Sequence, residues 1–370
     1  MVDSIMKIFQ SAGFGVPYLA TFNFRHLVSE FPSFNERKCA LLNDRYDASH
    51  ILKPVYDKDL DFFFTVCDDP ILQILWAREN GLTTCDLAEI LLAQIEAFQP
   101  DVLYQLDPIL YPSSFVRRLP GCVKRVVAWR AAPIGAADLT AYDVVLSNFE
   151  TLNSRWIKNG LRAAMFSPSW DPEMAPYAAN SARPVDIFFT GSYARTTGHD
   201  DRLTMLDAVA QLSDLYHVDL RLMSRKWGRL ADMPLLRWIP VPIRLPLSLK
   251  TAKGKPVYGR EMYETLSRTK ILLNPATSIA GDVRGNMRCW EALGCGACML
   301  GSAGVYPEGF ESGVNFESFT DADDLIRKIN MLLIDEPRRA AIAAAGAVML
   351  PRVWSKERQW SDFVSLVGTL

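Results

Sequence analysis

The sequence predicts an α/β protein with two doubly wound parallel sheets. Short apolar segments alternate with amphipathic segments of helical spacing, which is the pattern of a parallel sheet covered by helices. The chain has 370 residues, more than one ordinary hydrophobic core holds. Four prolines interrupt a weakly periodic stretch near its middle. We therefore expect a first lobe over residues 1–170, a linker over 171–184, a second lobe over 185–350 and a C-terminal helix over 351–370.

The first lobe should start with a strand and a glycine-bearing loop. A glycine loop after the first strand lets a ligand approach the backbone closely, so Gly13 and Gly15 are candidate ligand contacts. Proline at position 100 ends an apolar helical segment ahead of the next strand. The pattern predicts strands at 5–10, 61–66, 102–105, 124–128 and 143–147, and a helix at 87–98.

Polar residues follow several of these strands. Ligands of doubly wound sheets bind at the carboxyl ends of the strands, which nominates Asp68, Asp69, Asp107, Trp129 and Arg130 for the ligand site of the first lobe. The aspartates also have simpler interpretations. Asp68-Asp69 before a proline is typical of a helix N-terminus, and Asp107 before a proline is typical of a turn.

A general base, if one is used, should come from the first lobe. His26 lies in the first β-α unit, where a helical face would place it beside a ligand, although a surface histidine fits the same pattern. The candidates for the base are His26, Asp68 and Asp107.

The second lobe should open with an anion-binding loop. A strand over 185–190 runs into a glycine-led loop over 191–198 and a helix from Asp200. Strand, glycine loop and helix entrance together favour phosphate binding, so Gly191, Ser192 and Arg195 are candidates. Arg202 is a reserve candidate that the pattern places on a solvated helix face.

A second polar cluster follows the predicted strand at 270–274. A helix over 261–269 precedes this strand, and a second helix, near the cluster, is expected to begin at about residue 286. Arg284, Arg288 and Glu291 are spaced i, i+4, i+7 and should share one face. Two guanidinium groups and a carboxylate suit a sugar nucleotide, with arginine on the diphosphate and carboxylate on the ribose.

Three motifs in this half resemble the C-terminal half of GT-B glycosyltransferases. They read G-x-x-M-Y-x-x-L-S-x-x-K-I-x-L-N, R-x-W-E-A-L-G-C-G-A and G-V-Y-P-E-G-F-E-S-G-V-N-F. The branch they resemble is the group 1-like, spore-maturation-type (CgeB-like) one. The resemblance implies a GT-B fold, with two Rossmann-like lobes facing a cleft, and places Glu291 on the nucleotide ribose. Many retaining relatives have a second glutamate where this chain has Val283; Glu308, in the third motif, is a candidate to replace part of its role.

The resemblance also implies a function. Such enzymes transfer a sugar from a nucleotide-diphosphate donor to a saccharide, lipid-linked or protein acceptor. We expect no cofactor beyond the donor itself, and no metal, since no Asp-x-Asp motif stands in the expected context. Whether the transfer retains the configuration at the anomeric carbon stays open, because Val283 replaces the second glutamate of many retaining relatives. A nucleotide-sugar epimerase and a non-catalytic nucleotide-sugar- or partner-binding protein remain alternatives.

Composition bounds the setting. The formal net charge is −2, which gives no global signal for nucleic acid, and no apolar run is long enough to span a bilayer. Seven cysteines stand among apolar neighbours, and Cys295 and Cys298 should be packed thiols, which indicates the reducing cytoplasm. A basic, aromatic, proline-broken segment over 221–255 fits either a peripheral contact with the inner face of the membrane or a structural insertion.

The C-terminal part should be helical. Amphipathic spacing predicts helices at 321–335, 338–347 and 357–367. In GT-B enzymes the last helix crosses back to the first lobe, and the resemblance implies the same of this one.

Overall fold

The computed structural model describes residues 6–192, 200–223, 248–249 and 254–370. The chain divides into two compact units, Met1–Ser169 with Lys356–Leu370, and Trp170–Ser355. Each unit is built on a parallel sheet covered by helices. The prediction of two Rossmann-like α/β lobes is confirmed.

The first unit has a six-stranded parallel sheet in the order β2-β1-β3-β4-β5-β6. Because β1 pairs with both β2 and β3, the sheet grows in one direction from β1 and then in the other. The carboxyl ends of β1 and β3 therefore form the topological switch point. The strands are β1 (Ile8–Ala12), β2 (Phe62–Val66), β3 (Val102–Gln105), β4 (Arg125–Trp129), β5 (Val144–Ser147) and β6 (Ala163–Met165). Since β1 extends to Ala12, the glycine loop is shorter than the sequence indicates.

Local signals explain where the helices of this unit begin. Ser33 and Glu36 form a capping box on α2, and Asp86 caps α5 by accepting two backbone N–H groups. Gln99 ends α5 in the left-handed conformation. The helices are α1 (Val16–Arg25), α2 (Phe34–Asn43), α3 (Lys53–Asp57), α4 (Pro70–Glu79), α5 (Leu87–Phe98), α6 (Ser113–Val116) and α7 (Glu150–Lys158).

The second unit repeats this plan with five parallel strands in the order β11-β10-β9-β7-β8. Its switch point lies between β7 and β9. The strands are β7 (Val185–Ser192), β8 (Val218–Met223), β9 (Thr269–Asn274), β10 (Cys298–Ser302) and β11 (Glu317–Phe319). The helices described here are α8 (Ala175–Ala178), α9 (Asp200–Ala210), α10 (Arg260–Ser267), α11 (Met287–Gly294), α12 (Ala322–Ile334) and α13 (Glu336–Val353).

Apolar side chains fill two separate clusters in the second unit. Cys298 belongs to the cluster that contains Leu206 and Ile329, whereas Cys295 belongs to the one that contains Trp290. Both thiols are free and fully buried, and burial raises the pKa of Cys298 to about 12. The two cysteines are packed thiols that face different clusters.

The last helix, α14 (Lys356–Gly368), belongs to the first unit. The centroid of its Trp360 ring lies 5.2 Å from that of the Phe62 ring, with the two rings edge to face. The Lys356 ammonium is buried and donates hydrogen bonds of 2.6 Å to the carbonyl oxygens of Ala48 and Ile51. A buried ammonium held by carbonyl groups fixes the start of α14 on the turn before α3.

Replacing Lys356 with methionine should destabilise the first unit. The substitution keeps the apolar stem but leaves the Ile51 carbonyl oxygen without a donor and the Ala48 oxygen with only the N–H of Ile51, which costs about 1–3 kcal/mol of unfolding free energy. Urea unfolding followed by tryptophan fluorescence measures this. Lys158→Met, at an exposed position on α7, is the control and should change the unfolding free energy by less than about 0.5 kcal/mol. Equal stability of the two variants would contradict the anchoring role.

Candidate functional site

The switch point of the first sheet holds a carboxylate that fixes the glycine loop. Asp68 accepts two backbone hydrogen bonds, at Oδ1 from the N–H of Phe14 (2.8 Å) and at Oδ2 from the N–H of Gly15 (2.6 Å). Gly15 has a φ of 79°, in the left-handed region that favours glycine. Both carboxylate oxygens of Asp68 thus hold the backbone between β1 and α1.

The charge state of Asp68 reflects two opposing effects. Burial raises its pKa, while the two amide donors of the glycine loop favour the ionised form and oppose that rise. Since both oxygens already accept hydrogen bonds from the loop, Asp68 is a positioning residue.

Asp107 lies beside the same loop, after β3. A Cβ atom placed on Gly13 would lie 2.8 Å from the Asp107 Oδ2 atom, so the absence of a side chain at Gly13 makes room for this carboxylate. The Arg130 Nη1 atom, after β4, lies 3.8 Å from Asp107 Oδ1. Burial raises the pKa of Asp107, and Arg130 opposes that rise. The structure therefore brings Gly13, Gly15, Asp68, Asp107 and Arg130 together at one edge.

The neighbouring Asp69 has a different role. It is fully buried, and its carboxylate binds Arg37 through two hydrogen bonds of 2.6 and 3.0 Å. It also accepts the N–H of Ile71 as the N-cap of α4, with Pro70 in the first turn. The interpretation as a helix start is correct for Asp69, whereas Asp68 supports the glycine loop.

His26 does not lie at the carboxyl edge. It follows the last residue of α1, whose ten residues rise about 15 Å from the glycine loop. Its ring lies 4.7 Å from that of Phe22, and its Nδ1 atom is 3.4 Å from Glu30. The expectation that a helical face places His26 beside the ligand is wrong, because the residue is at the opposite end of that helix.

A histidine that the sequence analysis missed lies closer to this edge. His50 is buried, and its ring centroid is 3.9 Å from that of Trp129, the last residue of β4. Burial, with the nearby Lys356 charge, lowers the pKa of His50 to about 3, so the ring stays neutral at ordinary pH. His50 stands in a short turn between α2 and α3, where no strand or motif marks it in the sequence.

In the second unit, the start of α11 lies at the carboxyl end of β9. Its N-cap residue Asn286 makes no capping hydrogen bond with its side chain. That side chain instead exchanges hydrogen bonds of 3.1 and 2.9 Å with Asn274, the last residue of β9. The N-cap side chain thus leaves the first-turn amides of α11 without a cap, although the Cys289 N–H donates to the Asn286 carbonyl oxygen at 2.9 Å. The helix dipole is directed at the switch point.

Arg288 and Glu291 stand on the first two turns of α11. Their side chains form an ion pair and are 20% and 9% exposed, respectively. A guanidinium and a carboxylate at a helix N-terminus can bind a phosphate and a hydroxyl group at neighbouring points.

Arg284 is not on the same helical face. The helix begins at Met287, so Arg284 belongs to the preceding loop, and the predicted i, i+4, i+7 face is wrong for this residue. Its guanidinium donates to the carbonyl oxygens of Gly281 at 2.6 Å and Ala303 at 2.7 Å. Arg284 ties this loop to the end of β10.

Arg202 is buried rather than solvated. It donates a hydrogen bond to the carbonyl oxygen of Pro275, directly after β9, and its guanidinium carbon lies 5.8 Å from the centroid of the Phe189 ring. Burial lowers its pKa to about 10. The expectation of an exposed position is therefore wrong, because α9 turns this face toward the sheet.

Part of the predicted phosphate loop is not described. Gly191 is the penultimate residue of strand β7 rather than a loop residue, and a Cβ atom there would lie 3.0 Å from the Phe189 ring. Ser192 ends β7, but its side chain and the whole of Arg195 lie outside the described residues. Most of the basic segment 221–255 lies outside them as well.

Val283, which stands where many retaining relatives have a glutamate, is linked through its backbone to the segment that precedes Glu308. Val283 forms an isolated parallel bridge with Val305, and the N–H of Arg284 donates to the Val305 carbonyl oxygen at 2.7 Å. Glu308 is exposed three residues later, in the turn between β10 and β11. Its predicted role in place of a glutamate at position 283 stays a prediction.

The described residues, 6–192, 200–223, 248–249 and 254–370, contain neither a metal-binding cluster nor a membrane-spanning helix. Within these ranges, no group of three His, Cys, Asp or Glu side chains is placed to bind a metal ion. No helix in the same ranges has the length and apolar character to cross a membrane.

Comparison with known proteins identifies the fold. Residues 202–363 match the sequence model of a family described as glycosyl transferase-like. No curated protein sequence matches the chain significantly. Anabaena HepE in complex with UDP-glucose is 14% identical over 99% of this chain and 100% of its own, with a TM-score of 0.60.

Two further solved structures are similar over nearly the whole chain. An alpha-glucosyltransferase in complex with UDP-glucose and DNA containing an abasic site is 11% identical over 98% of both chains, with a TM-score of 0.59. Sucrose-phosphate synthase from Thermosynechococcus elongatus is 12% identical over 98% of both chains, with a TM-score of 0.52. The chain has the GT-B fold, and the family match with this fold supports a glycosyltransferase. The spore-maturation-type branch stays a prediction.

Replacing Asp68 with asparagine should loosen the glycine loop. An amide side chain offers one oxygen where the carboxylate offers two, so one of the Phe14 and Gly15 amides loses its acceptor. Hydrogen exchange at residues 13–15 should accelerate by about tenfold or more. The amide of Leu106, which donates to Ser11 within the same sheet, is the internal control and should not change. Unchanged exchange at 13–15 would show that Asp68 does not hold the loop.

Proposed function

We propose that this protein transfers a glycosyl group from a nucleotide-diphosphate sugar to a hydroxyl group of a saccharide, lipid-linked or protein acceptor. The observation that carries the proposal is the N-terminus of α11, where Arg288 and Glu291 stand beside amides that the N-cap side chain leaves unoccupied. This segment lies within the region that matches the glycosyl transferase-like family.

The donor's diphosphate would bind at the start of α11. Oriented amides and the positive end of the helix dipole favour an anion there, and the Arg288 guanidinium adds a charge-assisted donor. Glu291 would accept hydrogen bonds from the ribose hydroxyls. The same groups stabilise the diphosphate when it leaves, so the proposal needs no metal ion for that step.

The acceptor would bind in the first lobe. In the reaction the bond between the anomeric carbon and the phosphate oxygen breaks, the acceptor oxygen bonds to the anomeric carbon, and its proton passes to a base. Asp107 suits the base, because its half-buried carboxylate is balanced by Arg130 at 3.8 Å and its pKa is raised by burial. Asp68 would position the loop beside it, and His26 is the least favoured of the three candidates.

Val283 favours a second candidate function. The position that carries a glutamate in many retaining relatives is apolar here and takes part in a backbone bridge with Val305. A protein that binds a nucleotide sugar without transferring it would tolerate this. We accordingly propose retention of the anomeric configuration as a separate point. The NMR signal of the anomeric proton in the product, compared with that in the donor, tests it.

Glu291→Ala should weaken nucleotide binding in the second lobe. We expect one of UDP, GDP, dTDP, CMP or ADP to raise the melting temperature of the unmodified protein, with UDP as the first choice because solved structures of this fold contain UDP-glucose. Loss of the ribose contact and of the partner of Arg288 should weaken binding by about tenfold to a hundredfold.

The matched control is Glu264→Ala, at an exposed position on α10, which should keep the shift. No shift with any nucleotide would contradict a donor site. A shift without donor hydrolysis or transfer would favour the non-catalytic alternative.

Asp107→Asn should reduce the transfer rate by about a hundredfold to ten thousandfold, because asparagine cannot accept the acceptor proton. In the unmodified protein the rate should fall as the pH drops through the pKa of Asp107, since the protonated acid is inactive. Burial raises that pKa, so the fall begins at a higher pH than for an ordinary aspartate. Assays in EDTA across pH, with donor binding measured separately, test this; a full pH profile retained by Asp107→Asn would exclude Asp107 as the base.

A further inference from the structure

A cavity of about 450 Å³ lies against the edge strand of the first sheet. It is lined by one face of α2, by the connection between α3 and β2, and by the first three residues of β2. β2 pairs with β1 on its other side. The candidate acceptor groups follow the opposite, carboxyl end of β2, so this cavity is a separate feature of the same lobe.

The cavity has an excess of positive charge. Lys38, Arg45 and Lys58 line it, against a single carboxylate, that of Asp59, among its described lining residues. The acidic residues next to these in the sequence are engaged elsewhere, since Asp44 pairs with Arg25 at 2.8 Å. Asp57 likewise pairs with Lys53 at 2.6 Å.

Lys38 occupies an unusual position in this cavity. Its ammonium lies 5.3 Å from the centroid of the Phe34 ring and 5.7 Å from that of Phe63. No described residue gives this ammonium a hydrogen-bond acceptor or a carboxylate partner. Burial lowers the pKa of Lys38, which means that its charge is partly removed from water without compensation by an anion.

Aromatic rings form the rest of the wall. Phe62, Phe63 and Phe98 line the cavity, and the Arg45 guanidinium lies 4.3 Å above the ring of Tyr56. Flat apolar surfaces next to cations are the surroundings that bind a molecule with a ring and an acidic group.

We propose that this cavity binds a small organic anion, with its acidic group on Lys38 and its ring on the phenylalanine side chains. A phosphorylated ring and a carboxylated ring share this chemistry. A volume of about 450 Å³ has the size of a small-molecule site.

Two fluorescent probes separate charge from apolar surface. 1-Anilinonaphthalene-8-sulfonate and N-phenyl-1-naphthylamine have the same rings, and only the first carries a sulfonate. We expect the sulfonate to strengthen binding to the full-length protein by about tenfold. Lys38→Gln should remove that advantage and leave the neutral probe unaffected. Lys158→Gln, at an exposed position on α7 near the other edge of the sheet, should behave like the unmodified protein.

Cys39 gives a test that needs no substitution, because it lines the cavity and is partly exposed. Iodoacetate and iodoacetamide alkylate the same thiolate, but only iodoacetate is an anion. The ratio of their rates at Cys39, measured by peptide mass spectrometry, should exceed that at the exposed Cys85 by about threefold or more. The sulfonate probe should protect Cys39 from alkylation. Inorganic phosphate and a carboxylated ring such as benzoate, each competing with this probe, show which of the two acidic groups the cavity binds more tightly.

Stability distinguishes a binding lysine from a structural one. Lys38→Met should keep or raise the melting temperature of the empty protein, because it removes a partly desolvated charge. A clear loss of stability, equal affinity for the two probes, or equal rate ratios at Cys39 and Cys85 would each overturn the proposal.

Discussion

The parallel arrangement of strands is the constraint on which both candidate sites depend. In a parallel sheet every strand delivers its following loop to the same edge, and at the switch point two such loops diverge and leave backbone groups uncovered. The first lobe has this point between β1 and β3, and the second between β7 and β9. Uncovered amides need acceptors. The polar residues after the strands therefore have two uses, to complete the protein's own backbone or to bind a ligand.

The structure separates these uses by the kind of partner that each side chain has. Asp68 and Arg284 bind backbone groups, so removing them loosens a loop. Asp107 is of mixed kind, because its carboxylate lies 3.8 Å from Arg130 but also receives backbone hydrogen bonds from Ile109 and Leu110. Arg288 and Glu291 instead pair one side chain with another. Such pairs can exchange their mutual contact for contacts with phosphate, hydroxyl or water at small cost, whereas a buried backbone amide that loses its acceptor cannot. This difference is why we assign donor chemistry to Arg288 and Glu291. Asp107 is assigned to the acceptor on other grounds, because its carboxylate lies beside the glycine loop and Arg130.

The sequence predicted several of the elements, but not α2, β6 or β8, and it did not reveal the partners of the polar side chains. Apolar runs placed β3 and α5 at their observed ends, because periodicity and the proline after Gln99 are local signals. Neighbouring Asp68 and Asp69 look alike in sequence, yet one binds the glycine loop and the other Arg37, since partners far along the chain decide. Helical spacing grouped Arg284 with Glu291, but α11 begins after Arg284. Burial of Arg202 and of His50 depends on packing that no local pattern records.

The pairing of Arg288 with Glu291 affects how donor binding should be understood. In the structure each charge satisfies the other at a mostly buried position, which would keep both side chains in place for the proposed contacts with a diphosphate and a ribose. Removing either residue leaves the other charge partly desolvated, so a single substitution measures this penalty together with the lost ligand contact. The two contributions separate in a double-mutant cycle, because the Arg288→Gln, Glu291→Gln protein has no residual charge to penalise. A coupling energy between the two substitutions that is larger for nucleotide binding than for unfolding would show that the pair binds the donor rather than only stabilising the fold.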